Sequence, residues 1–202
     1  LILLCLPLWG FSQNLPIVLS ISAGGDGYCD GFTILEKNKY IDRREEEVPV
    51  NPNASFSTDP VHEPSTSSAL IDKSGRYNYN ASNLADADFN TAWAEGEDGY
   101  GIGEFIEFDV GRLLCLTIYN GYQKSIDSWK NNSRVKIFKV YLNNTPICFL
   151  ELEDVMSGQS FDLGNLIQGG IEDVSLRFEI SKVYSGNKWK DVCISDILVT
   201  DI

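Results

Sequence analysis

Val174, Leu176, Phe178 and Ile180 are separated by Ser175, Arg177 and Glu179. Successive side chains of a β-strand point to opposite faces, so a half-buried strand gathers all four apolar groups on one side, whereas a helix would scatter them. The same period recurs at Ile106, Phe108 and Val110, and again at Phe138, Val140 and Leu142. Leu113 to Tyr119 is almost continuously apolar, as in a strand covered on both faces. Ile147 to Leu152 follows a turn at Asn143-Asn-Thr-Pro146, and Val192 to Val199 closes the pattern. No window from residue 100 onward has helical periodicity. Six or more short strands divided by Gly, Asn and Pro turns predict an all-β jelly-roll sandwich rather than an α/β fold.

Such a sandwich needs a core, and 43% hydrophobic with 11% aromatic residues among 202 supply one. The formal net charge of −13 argues against nucleic acid and against anionic membranes, which require clustered Lys and Arg. It suits neutral ligands and cation sites. Residues 1–19 open with a Leu-rich run too short to span a bilayer, with Ser12, Gln13 and Asn14 directly after it. This reads as a truncated signal peptide, which predicts a secreted, periplasmic or cell-surface protein with no membrane insertion. Residues 20–58, punctuated by glycines, prolines and the charge run Asp42 to Glu47, read as a linker or N-terminal appendage that lies against the domain. Residues 59–202 are the domain itself. Beyond Cys5, the cysteines Cys29, Cys115, Cys148 and Cys193 have no CxxC spacing. Zinc and thioredoxin patterns are thereby excluded, and buried thiols are favoured over a disulfide framework.

Chemistry concentrates first in Asn83-Leu-Ala-Asp-Ala-Asp-Phe-Asn-Thr-Ala-Trp93. Asp86, Asp88 and Asn90 alternate along a polar loop and Thr91 adds a hydroxyl, which suits a hard cation that takes several oxygens. With Glu97 the spacing approaches an EF-hand, but Thr91 stands where that loop needs Gly and no amphipathic helices flank it. Spacing alone leaves a metal loop and a self-capped polar turn equally open.

The pattern Asn83-Leu84, Asp86-x-Asp88, Thr91-x-Trp93 resembles the signature near the start of discoidin, or coagulation-factor type C, domains of the galactose-binding-like fold. That resemblance implies a structural calcium ion held by Asp86, Asp88 and Thr91 and completed by Asp196 of Ile194-Ser-Asp-Ile197. Ala87 stands where the signature has Gly, which implies different backbone angles at that point. Further motifs follow in order: Thr91-Ala-Trp-Ala-Glu-Gly96, Gly99-Tyr-Gly-Ile-Gly-Glu104, Asn120-Gly-Tyr-Gln-Lys-Ser125, Asn132-Ser-Arg-Val-Lys136, Val183-Tyr-Ser-Gly186 and Lys188-Trp189. Together they resemble the NADase-type glycan-binding branch, which implies carbohydrate binding and not NAD hydrolysis.

Sugar recognition needs an aromatic face for the apolar side of a pyranose, with amides and charged groups for its hydroxyls. Glu95, Tyr100, Tyr122, Gln123 and Lys124 are candidate contacts, together with Asn132, Arg134, Tyr184, Lys188 and Trp189. Trp93 is assigned to the core. Gly96 to Gly103 is read as turns rather than a phosphate cradle, since no Lys-Ser/Thr or helix follows. Tyr122 to Lys124 also suit a hairpin tip after Asn120-Gly121. Two carboxylates such as Glu95 and Glu104 would suit a glycosidase. His62, the single histidine, lies among loop residues where it makes no obvious base. The expectation is therefore a non-enzymatic glycan binder, with a protein-assembly module using Trp129 and Tyr100 as the other reading.

Overall fold

A computed structural model describes residues 15–20, 22–23, 35–36, 39–40, 64–110, 115–163 and 174–200. Short strands come first: β1 (Ile17–Leu19), β2 (Ser22–Ala23), the mutually paired β3 (Leu35–Glu36) and β4 (Lys39–Tyr40), and β5 (Ser65–Thr66). After a 3-10 turn at Ala81–Leu84 come β6 (Trp93–Ala94), β7 (Phe105–Val110), β8 (Cys115–Asn120), helix α1 (Ile126–Asn131), β9 (Arg134–Leu142) and β10 (Thr145–Glu151). β11 (Gly158–Asp162), β12 (Val174–Tyr184) and β13 (Cys193–Thr200) complete the order. One sheet runs β1-β10-β9-β12-β7-β5 and the other β2-β11-β8-β13-β6. This is the expected jelly-roll sandwich.

Period 2 explains the core. Leu176, Phe178 and Ile180 of β12 are buried, between Ile106 and Phe108 of β7 and Phe138 and Val140 of β9. Phe178 meets Phe108 and Phe138 edge-on, with ring centroids 6.1 and 5.8 Å apart. Burial of one such ring contributes about 1.5–3 kcal/mol. Trp93 is fully buried and donates its indole N–H to the Ser68 carbonyl at 2.9 Å. β8 lies between β11 and β13, so its apolar run is an interior strand. Asn143 and Asn144 carry φ of 47° and 65°, the left-handed angles that a tight β9–β10 hairpin demands and that Asn tolerates.

Three features depart from the sequence expectation. α1 interrupts the all-β pattern: six residues are too few to display a helical period, and only the cap marks it, with the Ser125 hydroxyl accepting the Ser128 N–H at 3.0 Å. Asn120-Gly121 does not form a hairpin tip, because Gly121, at φ 82°, turns the chain from β8 into α1. A Cβ there would lie 2.6 Å from Trp129 Cδ1, so glycine is demanded by both angle and space. Third, Ile17–Leu19, read as the end of a leader, pairs in parallel with Phe149–Glu151, and Ser22–Ala23 pairs with Gln159 and Ser160. This part of the N-terminal segment therefore lies along one edge of each sheet. Residues 1–14, the charge run Asp42 to Glu47 and His62 lie outside the described residues. Cys148 and Cys193 are buried free thiols.

Candidate functional site

The acidic loop is tied down at its ends. The buried Asn83 amide donates to the carbonyls of Asn78 (2.6 Å) and Ala92 (2.9 Å). Within the loop, Asp86 accepts the Asp88 N–H at 2.9 Å and the Thr91 hydroxyl at 2.7 Å. Ala87 takes φ 56°, a left-handed angle that glycine adopts freely and that costs an alanine about 1–2 kcal/mol. The fastened loop imposes this conformation despite the Cβ.

β13 brings Asp196 to this loop. Its residue is 1% exposed, and Oδ1 has no hydrogen-bond partner. Burial, foremost, and then the Asp86 carboxylate raise its pKa to about 6, against the pull of the Ile197 and Ala87 N–H groups. An orphaned carboxylate oxygen in the field of the Asp86 carboxylate, which itself accepts the Thr91 hydroxyl, offers oxygen donors of the type that a hard divalent cation takes. Asp88 is turned along the loop instead. It accepts the Asn90 N–H and amide at 2.9 and 2.8 Å, and these contacts first, then Lys124, lower its pKa. Among the described residues no group of three His, Cys, Asp or Glu side chains is placed to hold a metal.

Beside the loop is a groove of about 340 Å³, within the range of small-ligand sites. Leu70, Tyr77, Tyr79, Ala94, Tyr122 and Cys193 form its apolar wall, and Lys124, Asp127, Ser128, Asn131, Asn132 and Trp189 complete it. Tyr79 and Tyr122 meet edge-on at 6.5 Å. The Tyr122 hydroxyl donates to the Asn90 carbonyl at 2.7 Å, which fixes the groove wall to the acidic loop. The Asn131 carbonyl accepts the N–H groups of Lys188 (3.1 Å) and Trp189 (2.7 Å). Trp189 is thereby held against α1 while its side chain remains 48% exposed.

The structure brings Tyr122, Lys124, Asn132 and Trp189 together in this groove, with Lys188 over the Trp189 ring at 4.5 Å from its centroid. The Asn132 amide is already donated to the Ser128 carbonyl at 2.8 Å, and Arg134, Glu95, Gln123 and Tyr184 likewise make polar contacts within the protein. Arg134 is buried, pairs with Asp154 at 2.6 Å, donates to the carbonyls of Trp129 and Asn132, and stacks on Trp129 at 4.3 Å. It is the buttress under α1. Trp129 itself donates to the Asn120 carbonyl at 3.0 Å and is buried, which removes it from the surface expected of an assembly module. Glu95 is fully buried and accepts the N–H groups of Glu97 (2.9 Å) and Val192 (3.3 Å), with burial raising its pKa above the usual range. Gln123 donates to the Asn120 carbonyl, and Tyr184 to that of Leu152. Tyr100 lies under Lys190, 5.6 Å from the ring centroid. Sequence reasoning missed Leu70, Tyr77 and Tyr79; the alternation Tyr77-Asn-Tyr79 after Ser74-Gly75 was the available signal.

A two-sheet jelly roll with its groove built from connecting loops places the protein among discoidin-like β-sandwich domains. Residues 55–200 match the family model described as NAD glycohydrolase translocation F5/8 type C domain, and the chain belongs to that family. No curated protein sequence matches it. Similar solved structures include the CBM32-1 and CBM32-2 domains of Clostridium perfringens ZmpB in complex with GalNAc, at 10% identity and TM-score 0.49 over 70% of this chain and 33% of that one. CBM32-3 from a family 31 glycoside hydrolase of Clostridium perfringens gives 17% identity and TM-score 0.48 over 69% and 92%. The arabinofuranosyltransferase AftD from Mycobacteria gives 14% identity and TM-score 0.49 over 69% and 11%. The chain spans about a third of the ZmpB chain.

Proposed function

We propose that the protein is a non-catalytic carbohydrate-binding domain whose ligand lies in the groove between Tyr77, Tyr122, α1 and Trp189. The observation that carries this reading is the pairing of a half-exposed indole with tyrosine walls on one side and the Asn131 and Asn132 amides on the other. An aromatic face takes the apolar side of a sugar ring, and the Asn131 side chain and the carbonyl oxygen of the Asn132 side chain are polar groups of the groove lining that would meet its hydroxyls. The non-catalytic reading is supported by the commitment of both Glu95 oxygens to backbone N–H groups and by the bond from the Ser67 hydroxyl to Glu104 at 2.6 Å. A glycosidase requires an acid and a base or nucleophile free to reach the glycosidic bond.

We further propose that Asp86, Asp196 and Thr91 hold a structural calcium ion. The ion would supply positive charge that offsets two facing carboxylates. Through Asn90 and Tyr122 the loop would then hold one groove wall in place. Glycan binding suits an exported protein at the cell surface or in the periplasm, and no helix among the described residues is long and apolar enough to cross a membrane.

Affinity electrophoresis against mixed polysaccharides tests the binding reading. Retention is expected for the wild-type protein and its loss for Trp189→Ala, with an unchanged melting temperature because the indole is exposed. Equal retention of both proteins, or none for either, would refute the groove as a glycan site. Release of reducing sugar by the purified protein would sink the non-catalytic reading.

A further inference from the structure

The groove sits in an unusual charge setting. The sequence holds 29 acidic residues against 16 basic ones, yet Lys124 lines the groove and Lys188 sits on its Trp189 wall. Lys124 lies 5.9 Å from the Tyr77 ring centroid and Lys188 lies 4.5 Å from that of Trp189. Both rings line the groove. Among the described residues, the ion pairs are those of Arg134 with Asp154 and Arg177 with Glu107, and no carboxylate reaches that distance from Lys124 or Lys188. Lys124 acts on Asp88 through space, as the lowered carboxyl pKa reflects, without forming an ion pair.

Cation–π contact orients an ammonium over a ring but leaves its N–H groups to water or to a ligand. Two such ammoniums, each carried on an aromatic wall of the groove, provide charge-assisted donors beside the sugar-stacking surface. Asp127, the groove's acidic lining residue, is in the first turn of α1, where free backbone N–H groups offset its charge. A wholly neutral sugar would leave neither ammonium with a carboxylate at ion-pair distance.

We infer that the glycan is acidic, bearing a carboxylate that lies between Lys124 and Lys188 while its ring stacks on Trp189. This rests on the carbohydrate-binding reading of the groove and names the ligand class within it.

The test uses oligosaccharides containing glucuronate, galacturonate or sialic acid, each beside its carboxyl-reduced counterpart, in calorimetric titrations of the full chain. The acidic member of at least one pair should bind about tenfold more tightly, as expected of a charge-assisted contact. That preference should shrink as sodium chloride is raised. Lys124→Gln and Lys188→Gln should abolish the preference for the acidic member of the pair. Lys139→Gln, whose ammonium sits over Tyr141 on β9, should not alter it, and melting curves establish that each variant folds. Equal or tighter binding of the reduced sugars overturns the inference. A neutral glycan that binds while every acidic one fails also overturns it, yet leaves the carbohydrate-binding reading standing. Failure of all glycans, neutral and acidic, removes both.

Discussion

Replacement of Asp196 by Asn should change stability in opposite directions with and without calcium. With chelator present, the carboxyl is buried, its Oδ1 is unpartnered, and its pKa of about 6 lies above the ordinary 3.8. Such a shift corresponds to ~3 kcal/mol against the ionised form, reduced to about 1–2 kcal/mol by solvent screening at the loop. A carboxyl whose pKa is raised on folding contributes stability that is full below 3.8 and lost as pH rises through about 6. At pH 7.5 in chelator, Asp196→Asn should therefore melt roughly 2–8 °C above the wild type. The difference should vanish near pH 4, where both side chains are neutral. Calcium at about a hundred times its dissociation constant should stabilise the wild type by ~2.7 kcal/mol and the variant far less, which reverses the order. Differential scanning calorimetry at the two pH values, with chelator and with calcium, reads all four states. A variant that melts below the wild type in chelator at pH 7.5, or an equal calcium response in both proteins, would refute the two-carboxylate account.

Ala87→Gly should raise stability slightly and preserve the calcium response: relief of the left-handed strain, about 1–2 kcal/mol, outweighs the added chain entropy of about 0.4–1 kcal/mol. A lowered melting temperature would count against the φ of 56° at this position. Arg134→Ala should cost about 2–3 kcal/mol, because it strands the carbonyls of Trp129 and Asn132 and uncovers the indole. Chemical denaturation measures this, and a loss below half a kilocalorie would show that α1 stands without its buttress. Burial pushes the Cys148 thiol up to about 12 and raises that of Cys193 still further. Both should resist iodoacetamide at pH 8 until the protein unfolds, as peptide mass mapping would reveal.

The sandwich was legible because strand burial imposes a period of two that Leu176, Phe178 and Ile180 display on one line of sequence. The acidic loop was legible as a run, since Asp86, Asp88 and Thr91 are neighbours in the chain, and Asp196 was linked to it through the family resemblance. α1 was not legible, because a six-residue helix is specified by one cap and by the Arg134 buttress rather than by a repeat.

The groove divides most sharply along this line. Local pattern determined that the chain forms alternating strands, that Asn143 and Asn144 turn between two of them, and that oxygen donors cluster near residue 88. Tertiary structure alone decided which polar residues are spent internally. Glu95 and Arg134 look like ligand contacts in sequence, but Val192, just before β13, and Trp129 of α1 supply partners that consume them. It also decided that Tyr77, Lys124 and Trp189, far apart in the chain, share one surface. The physical reason is range: side-chain periodicity acts between adjacent residues, whereas burial and hydrogen-bond satisfaction depend on whatever the folded chain brings alongside.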